Sequence, residues 1–156
     1  MAKHECIKTL REEHTEILKQ LDVLEAVVSG SVINKEEVEK FLHFTESFAE
    51  PHHKKEENVL FPALEAKGLP REGGPTGMML REHQEKRSYV EGLRTALKNG
   101  DNKEMKRNGL GIVNLMRSHI DKENNVLYPM AEEILTEDEL SELGHKCECS
   151  YHNHSH

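Results

Sequence analysis

The chain has 156 residues, a length that suits one compact domain. Its formal net charge of -8 speaks against a nucleic-acid partner, which would favour a basic stripe, and against attachment to anionic lipid. The hydrophobic share is 35%, the charged share 32% and the aromatic share 4% with no Trp, which disfavours sandwiches and barrels and points to helices with a solvated outer face. No run approaches the roughly 20 apolar residues of a membrane span. The start, Met-Ala-Lys-His-Glu-Cys, lacks the apolar region of a signal peptide. Cys6, Cys147 and Cys149 are odd in number and sit at the chain ends, so no disulfide framework is expected and a reducing cytoplasm is the default.

Taken in order, residues 3 to about 29 predict a first helix, with Ile7, Leu10, His14, Ile17, Leu18, Leu21 and Leu24 on one face. Ser29-Gly30-Ser31 ends it, and Asn34 caps a second helix over about 35 to 67. Pro51 should kink or divide that helix just before His52. The stretch Gly68 to Gly77 is the one clear loop in mid-chain. A third helix follows over about 76 to 99, with Met79, Leu80, His83, Val90, Leu93 and Leu97 on its buried face. The fourth runs from about 102 to 134 and includes Val126 in its apolar set; Gly109 and Gly111 weaken it unless something packs closely there. Thr136 and Glu139 form a capping box that opens a short fifth helix to about Leu143. The remainder, 144–156, has no apolar periodicity and reads as a separate Cys/His-rich tail after a bundle at 1–143.

One stretch occurs twice. Residues 52 to 62 align with residues 119 to 129, with seven of eleven positions identical. Each copy holds a His with a Glu four residues later, which on a helix stacks both on one face. The first copy offers His52/Glu56 and, shifted by one, His53/Glu57. The alignment favours the former, because Glu56 faces Glu123 and His52 faces His119, whereas Glu57 faces Asn124 and His53 faces Ile120. The halves match further: Leu10-Arg11-Glu12-Glu13-His14 resembles Leu80-Arg81-Glu82-His83. Two helical hairpins of this kind predict an all-α, antiparallel up-and-down four-helix bundle with a short C-terminal helix and a flexible tail. Every long helix then sends ligands inward: His14, His52 with Glu56, His83, and His119 with Glu123.

Four imidazoles and two carboxylates suit two divalent cations, with the carboxylates able to bridge. The set favours iron or manganese, with zinc a possible substitute, and it contains no thiolate. Positions left open on two such metals are where O2, peroxide or nitric oxide binds. Each ligand His also needs an acceptor on its other ring nitrogen, and periodicity does not reveal which residues supply it.

At these residues the chain resembles the hemerythrin-like (HHE cation-binding) domain family. The resemblance covers roughly residues 5 to 135, and Glu72-Gly73-Gly74-Pro75 also looks like its bacterial members. It implies a four-helix bundle with an oxygen- and carboxylate-bridged non-haem di-iron centre. It implies binding or sensing of O2, peroxide or nitric oxide chemistry, or iron handling and repair. The chain departs from the oxygen carriers in two ways. Met79 and Arg87 stand where a fifth His would lie one turn from His83, and Glu123 lies four residues after the last His instead of an Asp at five. Both departures favour a reactive or sensory centre over simple O2 carriage. The expected function is therefore binding of, or reaction with, a small oxidant, with an external electron donor if it turns over. The alternative is iron storage or donation.

Other residues carry less. A lone His on an apolar face is more often a satisfied core residue, and only the repeated pattern lifts His14 above that. His43 reads as a surface residue, and His53 and Glu57 as neighbours of the site or as surface. Arg87 is placed to pair with a carboxylate or to cap the mouth. In the tail, Cys147, Cys149 and His145, His152, His154 and His156 could bind metal, though a disordered end is the simpler expectation.

Overall fold

A computed structural model describes the backbone of residues 5–154 and the side chains of 5–147. The described residues form five helices and no strand. Helix α1 is Glu5–Ser29. Helix α2 covers 35–66 without a break, as Lys35–Phe44, a π-helical turn Thr45–Ala49, Glu50–Lys55, a second π turn Glu56–Leu60, and Phe61–Ala66. Helix α3 is Pro75–Asn99. Helix α4 covers 102–134 as Asn102–Lys122, a π turn Glu123–Leu127 and Tyr128–Ile134, and α5 is Glu137–His154.

The ends follow local chemistry. Asn34 accepts from the backbone N–H groups of Glu36 and Glu37, and Asp101 accepts from that of Glu104, so each satisfies orphan donors of a first turn. Thr136 and Glu139 form the expected reciprocal box, at 3.2 Å and 2.8 Å. Gly100 takes φ 65° and closes α3.

The distortion expected at Pro51 takes the form of a π turn just before it, and α2 runs on through the proline. The residue before it, Glu50, keeps helical angles and donates to Thr45 five residues back. The same device recurs twice: Phe61, before Pro62, donates to Glu56, and Tyr128, before Pro129, donates to Glu123. A proline lacks an N–H and its ring crowds the carbonyl four residues back. Widening the preceding turn by one residue moves the hydrogen-bond register so that the helix continues. Two of these three wide turns begin at the repeated glutamates.

Helix α4 packs along both α1 and α3, α2 packs on α1 and α3, and α5 rests on α1 and on the 50–60 stretch of α2. Two apolar clusters result. One joins Leu21, Leu24, Val28, Phe41, Val90, Leu93, Ile112 and Met116. The other joins Ile7, Leu10, Leu60, Phe61, Leu64, Met79, Leu127, Tyr128 and Leu143. Each fully buried Leu in them contributes about 2 kcal/mol. His14, His52, His83 and His119 each fall in sequence between residues of the two clusters, so a polar layer separates them. Close helix approach explains the α4 glycines: a Cβ on Gly109 would stand 2.9 Å from Val28 Cγ1, and one on Gly111 2.5 Å from the Tyr89 ring. Val126, expected inside, is exposed.

The C-terminal region differs most from expectation. Helix α5 does not stop near Leu143 but runs to His154, so residue 144 lies inside a helix rather than at the start of a flexible tail. Cys6 and Cys147 are joined by a disulfide, with Cα atoms 5.7 Å apart, where no disulfide was expected. Spacing could not show this, because the partners are 141 residues apart in sequence. The side chains of Cys149, His152, His154 and His156 lie outside the described residues; His145 is exposed.

Candidate metal centre

The structure brings all six predicted side chains together in the polar layer. His14, His52, Glu56, His83, His119 and Glu123 are each 0–1% exposed. They form two groups of four: His14, His52, Glu56 and Glu123, and Glu56, His83, His119 and Glu123. In each group one ligand atom per residue lies within 4.8 Å of the others, and both groups share both carboxylates. Each group offers four donors to a cation, and the two groups have both glutamates in common.

Every imidazole turns Nε2 inward. His14 Nε2 lies 2.9 Å from Glu123 Oε1, and His119 Nε2 lies 3.2 Å from Glu123 Oε2. His83 and His52 place Nε2 at 3.3 Å and 3.8 Å from Glu56 Oε1. Nε2 of His52, His83 and His119, Oε1 of Glu56 and both oxygens of Glu123 are buried without a hydrogen-bond partner. Buried polar atoms without partners are costly and rare. Six of them converging on one layer form a donor set that could hold a metal cation.

The outward nitrogens are all held. His14 Nδ1 donates to Asn124 Oδ1 at 2.8 Å, and His52 Nδ1 to Glu13 Oε1 at 2.9 Å. His83 Nδ1 donates to Glu57 Oε2 at 2.7 Å, and His119 Nδ1 to Glu82 Oε1 at 2.8 Å. These contacts fix the tautomer that leaves the Nε2 lone pair free for a metal. The acceptors obey the internal repeat. Glu13 and Glu82 directly precede His14 and His83, and each holds the His of the following helix. Glu57 and Asn124 directly follow Glu56 and Glu123. Lys55 and Lys122, directly before those glutamates, bind Glu13 at 2.6 Å and Glu82 at 2.5 Å. This shell was not identified from sequence, although the matched positions of Glu13 and Glu82 before a histidine were a usable signal.

Three departures from the repeat distinguish the two groups. Asn124 is neutral where Glu57 is charged. Tyr128, fully buried, donates to Glu56 Oε2 at 2.6 Å and stands 3.3 Å from His14 Nε2; its counterpart Phe61 stacks 6.0 Å from His83. His53 is buried where Ile120 stands: Lys86 donates to its Nε2 at 3.3 Å, and its Nδ1 is 3.9 Å from Glu56 Oε1. His53 and Glu57 are thus neighbours of the centre. Arg87 pairs with Glu50 and Glu57, both at 2.9 Å. Met79 is in the apolar cluster, and His43 is exposed.

The field in the layer is set by the two carboxylates. Burial alone would lower the His119 pKa, but Glu123 and Glu82 raise it to about 10. Burial and Glu123 work to raise Glu56, yet the surrounding imidazoles hold it below the usual carboxylate range. Burial, Glu123 and Glu56 push the Tyr128 phenol well above its ordinary value, so it keeps its proton. Burial lowers Lys86 to about 8.

The sequence model described as Hemerythrin HHE cation binding domain matches residues 6–131. The chain therefore belongs to the hemerythrin HHE family, a family of metal-cation-binding helical domains. Comparison with curated proteins gives no significant match.

Proposed function

We propose that this chain is a non-haem di-iron protein that binds or reacts with O2 or a related small oxidant, peroxide or nitric oxide, in sensing or in oxidative or nitrosative stress defence. Its four long helices are read as an antiparallel up-and-down bundle, each helix contributing ligands. The described residues include no helix long and apolar enough to cross a membrane, and we assign the protein to the cytoplasm. The observation that carries the reading is the convergence of unpartnered Nε2 and Oε atoms in two groups that share Glu56 and Glu123.

Imidazole with carboxylate suits iron or manganese, and zinc can substitute. Two irons held there would supply electrons and open positions for a small oxidant. The protein's own part is to hold that layer. Glu13, Glu57, Glu82 and Asn124 lock the four rings, so little reorganisation is needed when a ligand arrives. The apolar clusters on either side keep bulk water out. Tyr128 retains its proton at Oη and donates a hydrogen bond to Glu56 Oε2, next to His14. The burial of all six donors argues against ready iron donation, the competing reading.

The test is metal analysis with an optical spectrum on protein purified without air, then exposed to O2 and to peroxide. The expected result is about two irons per chain, following from the two four-ligand groups, with near-ultraviolet oxo-bridge bands. A stable, reversible oxy band supports binding or sensing, and repeated peroxide consumption with a reductant supports an enzyme. Stoichiometric iron bound by a variant lacking both Glu56 and Glu123 would sink the assignment.

A further inference from the structure

Past Leu143 the sequence of α5 offers no apolar face, yet the helix continues to His154. Among its described side chains after Leu143, Gly144 and Cys147 are buried while His145 and Lys146 are exposed. A covalent bond also ties this part of α5 down, Cys147 to Cys6 near the start of α1. Cys6, Leu10 and His14 follow one another at four-residue steps, a single stripe on α1 from the disulfide to the centre. Where α5 meets α1 and the His52-bearing stretch of α2, a cavity of about 410 Å³ is lined by Cys6, Cys147, Thr9, Gly144, Glu13 and Lys55. Glu13 holds His52 Nδ1, and Lys55 holds Glu13. The disulfide and the pair that orients a ligand histidine thus border the same space.

We propose that Cys6 and Cys147 are a reversible thiol–disulfide site that latches the distal half of α5 over the Glu13–Lys55 edge of the centre. Opening consumes one dithiol: its two thiols become a disulfide, and the Cys6–Cys147 bond becomes two thiols, with two electrons and two protons transferred. Closing consumes one hydrogen peroxide: the two thiols lose two electrons and two protons, and peroxide becomes two waters. In a reducing compartment a bond of this kind is switching rather than structural. Open, the polar stretch after Leu143 loses its anchor, and the cavity beside Glu13 is uncovered. The latch stands on the disulfide, the packing of α5 and the cytoplasmic assignment above; its effect on the centre rests on the cation reading.

The experiment is amide hydrogen exchange on the full chain, metal-free and iron-loaded, with and without dithiothreitol. In the oxidised protein, amides of residues 144–154 should be protected, and dithiothreitol should abolish that protection. Cys6→Ser should be unprotected in both conditions, whereas Cys149→Ser should keep the response. In the iron-loaded form a ferrous chelator should strip iron faster after reduction. Equal protection with and without dithiothreitol overturns the proposal. So does a Cys6→Ser chain that still responds, or a peptide map that joins Cys6 to Cys149. A chain that shows the redox-dependent protection but takes up no iron keeps the latch and sinks the di-iron reading instead.

Discussion

At the scale of single residues, the histidines of the centre are set by what lies behind them. Glu82 accepts from His119 at 2.8 Å and is itself held by Lys122 at 2.5 Å, and its carboxyl is kept near 2 by those hydrogen bonds. It is therefore an anion throughout the neutral range, and an anionic acceptor makes the His119 ring a stronger donor to a metal. Glu82→Gln keeps the shape and removes the charge. It should weaken cation binding about tenfold or more, measured by competition with a chromophoric chelator, while leaving the helical circular dichroism unchanged. Asn124 already plays the neutral part for His14, so the two four-residue groups differ in the charge behind their histidines.

At the scale of elements, the wide turns and the glycines do the positioning. Each π turn before Pro62 and Pro129 starts at Glu56 or Glu123, so the prolines set the helical register at the two bridging carboxylates. Between α3 and α4 the contact is close at Gly92, where a Cβ would fall on the Asn108 carboxamide. Asn108 is buried and donates from Nδ2 to Glu104 O at 2.9 Å, so it cannot simply swing away. Gly92→Ala gains up to about 1 kcal/mol of helix propensity but overpacks this contact at a cost of about 1–3 kcal/mol. The expected outcome is a lower midpoint in denaturant unfolding of the metal-free protein, without loss of the disulfide.

At the scale of the molecule, a layer of four imidazoles and two carboxylates lies between two apolar clusters, and without cations it leaves buried atoms unpartnered. Metal should therefore stabilise the whole fold. For each cation bound, at free metal a hundredfold above its Kd, the gain is about 2.7 kcal/mol, or roughly 5–10 °C in Tm for a chain of this size. The gain depends on pH in a definite direction. In the metal-free site His119 has its pKa raised to about 10, so at pH 7 it holds a proton that the cation must displace. Metal-induced stabilisation should rise from pH 6 toward pH 9, and loading should release protons, read by titration calorimetry in buffers of different ionisation enthalpy. A shift independent of pH would mean that His119 does not bind.

The six central residues were legible in the sequence because repetition did the work of geometry: two His-x-x-x-Glu pairs and two lone histidines, each at an equivalent place in its half. Helix identity, the Asn34 cap and the Thr136–Glu139 box were legible for a different reason, since each depends on neighbours within about one turn. A distortion at Pro51 was legible too, but not that a π turn would absorb it and let the helix run on. What the sequence alone determined, then, was which residue types repeat with helical period and what chemistry they suit. Only the tertiary structure decided which acceptor stands behind each histidine, that Tyr128 and His53 lie against the centre, and that Cys6 meets Cys147. Those choices depend on contacts between helices distant in the chain, where a rotation of one helix changes every partner and no local pattern records it.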